Sequence, residues 1–181
     1  MDKFELVDRT NQNIVVEELV IKKSKFIAKV YYINSKEQAE EIIAENKEEY
    51  KDARHVVYAY TLKSSGKFTD DKEPQGTAGK PIYSLLEKEQ VINVLIIVIR
   101  YFGGILLGAG PLTRAYSTVA KEALSKCKKQ KYVEYDKLSI KCEYKEEEQI
   151  VRKLKQDNCV IQDIIRTDKV IIEYLKPNNI M

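Results

Sequence analysis

The sequence predicts an α+β protein made of two domains. Strand-like apolar runs and helix-like periodicities occur in mixed order through the first 130 residues. A basic, polar stretch at 128–136 then interrupts the pattern. A shorter strand–helix–strand–strand pattern follows it. We therefore predict a larger domain over 1–130 and a smaller domain over 136–181.

The first domain opens with two predicted strands, 14–21 and 26–33, separated by four polar residues. A helix is predicted at 35–50. Ser35 and Gln38 match a capping box at its start, and apolar residues then recur at helical spacing. The domain therefore begins with a hairpin followed by a helix.

The middle of the first domain contains a second set of strands. The segment 54–62 alternates in strand fashion, and 92–99 is continuously apolar, as expected of a central strand buried on both faces. Between them, 63–80 is a polar loop long enough to be functional. A short helix, 81–89, begins with proline at its first position.

A long amphipathic helix, 112–126, is predicted to close the first domain, because apolar residues recur there at steps of three and four. The second domain is predicted to contain four elements and a tight turn at Thr167 and Asp168. The elements are strand 137–144, helix 145–157 and strands 159–166 and 169–175.

The second domain resembles the first part of a ferredoxin-like unit, ending before a second helix and a closing strand. Two alternatives follow. Either the chain is truncated, or another molecule covers the exposed sheet edge. The second alternative predicts a protein partner, or self-association, at the C-terminal sheet edge.

Composition narrows the class of protein. The chain has 181 residues, of which 44% are hydrophobic and 33% charged, so it is globular rather than disordered. Its net charge of +3 is too small to indicate nucleic-acid binding by itself. The three cysteines are widely spaced and odd in number, which argues against a disulfide framework or a zinc site and favours a reducing cytoplasm.

Membrane insertion and secretion are both disfavoured. The first five residues contain no apolar signal-peptide core. The apolar run 94–112 carries Arg100 near its middle, and glycines and a proline that break helices occupy its second half. We therefore predict a cytoplasmic protein without a membrane partner.

Positive charge is concentrated between residues 121 and 131, whereas basic and acidic residues are equal in number from 136 onward. One interpretation is that these cations favour a helix C-terminus, and the other is that they contact nucleic acid or the ribosome. The candidate nucleic-acid contacts are Lys121, Lys126, Lys128, Lys129 and Lys131.

The most informative segment runs from 70 to 114. An apolar strand leads into Arg100 and two aromatic residues, then a glycine pair, then a second glycine turn that opens a helix. This order brings backbone N–H groups close to an anion. The candidate ligand- or phosphate-binding residues are Lys25, Arg54, His55, Asp70, Asp71, Glu73, Gly76, Thr77, Gly79, Arg100, Tyr101, Gly103, Gly104, Gly108 and Arg114.

Several of these residues have more than one interpretation. His55 is the only histidine, and catalysis, phosphate contact and a structural role stay open. The three carboxylates at 70, 71 and 73 either bind a divalent cation or form an acidic turn, which is solvated or pairs with Arg100 or Arg54. Arg100 either bonds local carbonyls or binds a phosphate or carboxylate, while Tyr101 stacks on a base or caps the site.

No complete catalytic signature is present. The Gly103-Gly104-x-x-x-Gly108 spacing lacks the Lys-Ser/Thr of a P-loop, and no nucleophile–base pair is evident. We predict no metal, no cofactor and no catalytic residue, and an enzyme is the less favoured class.

These motifs together resemble the IMPACT/YigZ family of cytoplasmic proteins. The resemblance is carried by six segments in order: 23–28, 53–60, 70–81, 93–94, 100–108 and 114–116. One departure is Pro111, which follows Gly108-Ala-Gly110 where bacterial relatives commonly have a further glycine. Proline suits a first helical turn but removes one N–H from an anion site.

The resemblance implies a fold and a cellular role. It implies an N-terminal domain like domain two of a small-subunit ribosomal protein and a ferredoxin-like C-terminal domain akin to one in elongation factor G. Eukaryotic relatives restrain a kinase that shuts down initiation in starvation, through an extra N-terminal domain. This chain begins at the shared domain and is expected to correspond to the bacterial form, so that partnership does not carry over.

Three functions remain as hypotheses. The first is a non-catalytic protein that binds RNA or the ribosome and modulates translation. The second is an enzyme or receptor for a small phosphorylated or anionic metabolite in the glycine-lined cleft. The third is an interaction adaptor that uses the C-terminal sheet edge.

Overall fold

A computed structural model describes residues 2–178, so residues 1 and 179–181, at the outer ends of the two predicted domains, lie outside the description. The chain divides into two compact units, 1–132 and 133–181. The described residues form a mixed α/β structure with four α-helices and three sheets, which confirms the predicted mixture of helices and strands.

Unit 1 is built on a five-stranded antiparallel sheet with the order β2-β3-β6-β4-β5. The strands are β2 (Val15–Ile21), β3 (Ser24–Tyr32), β4 (His55–Thr61), β5 (Gly66–Thr69) and β6 (Val94–Tyr101). The central strand is β6, whose residues from Val94 to Arg100 are all buried. This burial is why its sequence is continuously apolar up to the arginine.

Helices cover both faces of this sheet. One face packs against α2 (Gly79–Lys88) and α3 (Ala109–Lys126), and the other packs against α1 (Lys36–Glu49). The N-cap of α1 is Ser35, whose hydroxyl accepts a hydrogen bond from the Gln38 amide, as the capping signal predicts. Side chains of β6 alternate between the two cores.

Three short strands escape sequence prediction. β1 (Phe4–Leu6) pairs with β7 (Lys129–Lys131), and β5 lies inside the segment predicted as an unstructured loop. Each has three or four residues, and β7 is fully exposed, so none produces an apolar alternation. The prediction that 128–136 is only a linker is therefore wrong at β7, as is the prediction of a structureless 63–80.

Unit 2 is a three-stranded antiparallel sheet with one helix on one face. The strand order is β8-β10-β9, and α4 (Glu147–Gln156), preceded by a 3-10 turn at Tyr144–Glu146, packs over it. The strands are β8 (Tyr135–Cys142), β9 (Val160–Arg166) and β10 (Val170–Pro177). A register shift at Glu173/Tyr174 makes the β9–β10 pairing irregular.

Candidate functional site

The candidate site lies at the end of the five-stranded sheet where β6 terminates. Arg100 is directly opposite Phe26 of β3 and His55 of β4. The glycine-rich segment 103–108 leads from β6 to α3, and the acidic loop after β5 reaches the same end of the sheet. The fold therefore brings together Arg100, His55 and Glu73, which are far apart in sequence.

Glu73 is the centre of a buried polar cluster. Its side chain is 3% exposed, and its Oε1 lies 2.6 Å from Arg100 Nη1. The same oxygen accepts a hydrogen bond of 2.8 Å from the Tyr116 hydroxyl and lies 3.6 Å from His55 Nε2. A buried carboxylate needs such partners, because unpaired burial of a charge is costly. One alternative from the sequence is that the acidic loop pairs with Arg100, and the Glu73–Arg100 contact is such a pair.

The cluster changes the chemistry of its members. Burial raises the pKa of Tyr116 far above its ordinary value, and the nearby charge of Glu73 adds to the effect. The Arg100 guanidinium lies over the rings of Phe26 and Phe102, at 5.5 and 5.7 Å from their centroids. With Glu73 and two rings around it, Arg100 holds the acidic loop against the sheet rather than facing solvent.

Asp70 occupies the glycine-rich turn at the start of α2. Its carboxylate accepts hydrogen bonds from the amides of Gly76, Ala78 and Gly79, at 2.7, 3.1 and 2.8 Å. These are the groups that the sequence offers to an external anion. The chain therefore supplies the anion itself, and the Thr77 hydroxyl, which donates to the Pro74 carbonyl at 2.6 Å, is also used internally.

Asp71 joins the same loop to β4. Its Oδ2 accepts a hydrogen bond of 2.6 Å from the Val56 amide, and its carbonyl oxygen lies 2.6 Å from His55 Nδ1. The three carboxylates of the loop thus have three separate sets of partners. Within residues 2–178, no group of three or more acidic, histidine or cysteine side chains is arranged to hold a metal ion.

Two predicted site residues lie on the opposite face of the sheet from Arg100. Tyr101 belongs to the α1 side, and its hydroxyl donates to Asp52 at 3.0 Å. Lys25 is directly opposite Tyr101 and forms an ion pair of 3.0 Å with Glu18. Consecutive strand residues point to opposite faces, which separates Tyr101 from Arg100.

The glycine turn before α3 is shaped by close packing and by left-handed backbone. A Cβ at Gly103 would lie 2.1 Å from the carbonyl carbon of Lys23, so only glycine fits against the β2–β3 turn. Gly104 and Gly108 have φ of 84° and 82°. Gly108 is the N-cap of α3, and Arg114 Nη1 lies 3.7 Å from the Cβ position of Gly110.

Five exposed cationic side chains lie at this end of the sheet, and we name this group the cationic end: Lys22, Lys23, Arg54, Lys72 and Arg114. None of the five forms an ion pair with another residue of 2–178, whereas the carboxylates of the acidic loop are turned inward. Beside the cationic end, three apolar side chains of the turn before α3 are exposed, with Leu106 at 83%: Phe102, Ile105 and Leu106.

Only Arg54 and Arg114 of the cationic end are candidates from the sequence. Lys22 and Lys23 form the turn between β2 and β3, and Lys72 projects between two inward-facing acidic residues. The sequence does contain a signal for Lys22 and Lys23. Two lysines between two strands form a hairpin turn, and the register of the strands gives the position of that turn.

Three of the five lysines in the run between residues 121 and 131 form ion pairs. Lys126 pairs with Glu17, Lys129 lies 3.0 Å from Glu89, and Lys131 lies 3.0 Å from Asp2. Lys121 and Lys128 are exposed and form no ion pair with the described part of the chain. The run therefore carries less free positive charge than its composition indicates.

Comparison with known proteins defines the class. The Impact N-terminal domain family matches residues 22–124, more than half of the chain and all of the cationic end. The chain belongs to the IMPACT family, which confirms the resemblance found in the sequence motifs.

Individual relatives agree with this assignment. An IMPACT family member of Haemophilus influenzae is 38% identical over 141 residues, covering 74% of this chain and 67% of that protein. The IMPACT family member YigZ of Escherichia coli is 37% identical over 135 residues, covering 72% of this chain and 65% of YigZ. A crystal structure of a hypothetical protein is similar with a TM-score of 0.70 and 29% identity, covering 97% of this chain and 85% of that protein.

None of the helices in residues 2–178 combines the length and the apolar character that a helix needs to cross a membrane.

Proposed function

We propose that this chain binds RNA, free or within the ribosome, through the cationic end, and that it thereby modulates translation in the cytoplasm without catalysing a reaction. The observation that carries the proposal is the set of exposed cations at one end of unit 1, which form no ion pair with another residue of 2–178. Phosphate contacts from lysine and arginine supply most of the affinity of such binding.

The inward orientation of the acidic loop supports this proposal. Asp70 is held by three amides, Asp71 by the Val56 amide, and Glu73 by Arg100 and Tyr116. Each carboxylate is engaged within the protein. The three loop carboxylates therefore offset little of the outward positive charge, which attracts a polyanion.

The exposed side chains beside the cations suit single-stranded RNA. Phe102 packs one ring face near Arg100 and remains partly exposed. An aromatic ring next to lysine and arginine is the combination that binds unpaired bases and their phosphates together.

The resemblance to the family supports the link with translation. We propose that unit 1 corresponds to a domain like domain two of a small-subunit ribosomal protein. We also propose that unit 2 corresponds to the ferredoxin-like domain akin to elongation factor G. The β8-β10-β9 order with α4 on one face is compatible with the first part of a ferredoxin-like sheet.

A salt series of RNA binding tests the site. A fluorescent single-stranded RNA oligonucleotide is titrated with the wild type, with K23A/R54A/R114A, and with the matched variant K67A/K88A/K155A, which removes three exposed lysines elsewhere. We expect the cationic-end variant to bind more weakly and its log–log salt slope to fall by about 2, at about 0.7 per lost contact. Equal losses in the two variants would refute the site, since only overall charge would then matter.

A further inference from the structure

The edge strand β2 differs from the other edge strands of the five-stranded and three-stranded sheets, β5, β8 and β9. Sheet edges expose unpaired backbone groups, and proteins usually protect them with lysine, proline, bulges or short length. β5 has only four residues, β8 carries Lys137 and Lys141, and β9 pairs irregularly with β10. β2 has seven residues, contains neither lysine nor proline, and pairs with β3 without a register shift.

The hairpin geometry determines which backbone groups of β2 face outward. Lys22 and Lys23 have φ of 45° and 65°, so they form a two-residue turn closed by the pair Ile21 and Ser24. In such a turn the two closing residues exchange hydrogen bonds with each other. Along the strand, residues then alternate between pairs that hydrogen-bond to β3 and residues whose backbone groups point away from it. The N–H and C=O groups of Val16, Glu18 and Val20 therefore point away from β3.

The same three residues form a largely apolar edge with an ion-paired residue at its centre. Val16 is 48% exposed and Val20 is 65% exposed, on either side of Glu18. Glu18 forms a surface ion pair, with its Oε1 3.0 Å from Lys25 Nζ. On the other face of the strand, Glu17 is likewise paired with Lys126.

We propose that two copies of this chain associate by antiparallel pairing of their β2 strands about a two-fold axis at Glu18. This register sets Val16 of each copy opposite Val20 of the other. It also sets Glu18 opposite the partner's Glu18, and the Lys25 that pairs with each Glu18 offsets this like-charge contact. The register also joins all three outward N–H groups and all three outward C=O groups of each strand in hydrogen bonds. The two five-stranded sheets become one sheet of ten strands, and the interface is isologous, as two-fold symmetry requires.

A second copy fits this edge better than an unrelated peptide, because the exposed valines are placed symmetrically about Glu18. An unrelated strand would need apolar residues at the same two positions and a central residue that tolerates the Glu18–Lys25 pair. The proposal concerns residues outside the cationic end and does not depend on the RNA proposal.

Analytical ultracentrifugation over a range of protein concentrations tests the association. We expect the wild type to shift from the mass of one chain, 21.0 kDa, towards twice that value as concentration rises. The variants V16K/V20K and V16E/V20E each set like charges opposite each other twice, so dimerisation of each should require at least about tenfold more protein. An equimolar mixture of the two should dimerise again, since every lysine then faces a glutamate.

The matched control is L138K/V160K, which places two lysines at exposed positions on the edges β8 and β9. It should dimerise like the wild type. A wild type that stays monomeric at every concentration overturns the proposal. So does a dimer that V16K/V20K leaves intact, or one that only L138K/V160K disrupts. If dimerisation recovers in the mixture of V16K/V20K and V16E/V20E, misfolding did not cause its loss in the separate variants. If both variants are folded and the mixture still does not dimerise, the proposal is also overturned.

Discussion

At the scale of single residues, one carboxylate organises the candidate site. Glu73 is buried, and Arg100, Tyr116 and His55 approach the same oxygen, Oε1. These residues come from β6, α3, β4 and the loop before α2, so the cluster links four parts of unit 1. The site is therefore held by a polar network inside the protein, while its cations remain outside.

Replacing Arg100 tests this network. Arg100→Ala leaves the Glu73 carboxylate buried without its guanidinium partner, so we expect the free energy of unfolding to fall by about 3–5 kcal/mol. Urea denaturation measures the loss, and the exposed Arg54→Ala is the control. R100M/E73M should recover part of the loss because it removes both charges. A loss in R100A no larger than in R54A would contradict the network.

Tyr116 gives the protein a distinct dependence on alkaline pH. Its pKa is raised in the folded state, so the neutral phenol stabilises the fold fully below the unfolded pKa of about 10. The stability is lost as pH rises above that value, because only the unfolded chain then releases the proton. Above about pH 10, the free energy of unfolding of Tyr116→Phe should therefore fall less steeply with pH than that of the wild type, by about 1.4 kcal/mol per pH unit.

Urea denaturation at a series of pH values measures this slope. Below about pH 9, Tyr116 is neutral in both the folded and the unfolded protein. The free energies of unfolding of the wild type and Y116F should therefore differ by a constant amount there. Parallel curves throughout the alkaline range would show that the Tyr116 proton is not bound more tightly in the folded protein.

At the scale of elements, the start of α2 depends on a close backbone contact. A Cβ added at Gly79 would lie 2.2 Å from the Thr69 carbonyl oxygen. The backbone would have to move, and the Asp70 hydrogen bonds to this turn would be disturbed. We expect Gly79→Ala to lower the free energy of unfolding by at least about 2 kcal/mol.

Gly110 is the matched control within another helix. The nearest atom to its Cβ position is Arg114 Nη1 at 3.7 Å, an ordinary contact. Gly110→Ala should be neutral or stabilise by up to about 1 kcal/mol, as alanine favours helix. Thermal unfolding of both variants measures the contrast, and equal effects would contradict the close contact at Gly79.

The long elements follow from the sequence because each carries its own periodic signal. β6 and α3 bury whole stripes of apolar residues, and Ser35 marks the start of α1. β7 could not be predicted in this way, since a strand of three exposed residues exists only through its pairing with β1. Tertiary pairing, rather than local preference, determines such elements.

The candidate site is only partly predictable for a related reason. The sequence offers pairing of the acidic loop with Arg100 as one alternative, beside pairing with Arg54, a solvated turn and a divalent cation. It does not show which partner each carboxylate takes, since Asp70 turns to amides of its own turn. Tyr101 could have been separated from Arg100 by strand alternation alone.

At the scale of the whole molecule, the two units are expected to contribute differently. The cationic end lies entirely in unit 1, so the chain cut after Tyr132 should retain the RNA affinity and salt slope of the full chain within about twofold. Fluorescence anisotropy measures both. Loss of RNA binding by a folded 1–132 fragment would instead assign essential RNA contacts to unit 2 and contradict the site in unit 1.

The central claim is that the cationic end binds the translation machinery, and co-sedimentation with ribosomes at physiological salt tests it most directly. The wild type and the control K67E/K88E/K155E should pellet with ribosomes. K23E/R54E/R114E should remain in the supernatant, because reversed charges repel phosphate. If K23E/R54E/R114E pellets as the wild type does, or if the wild type itself does not pellet, the claim is contradicted.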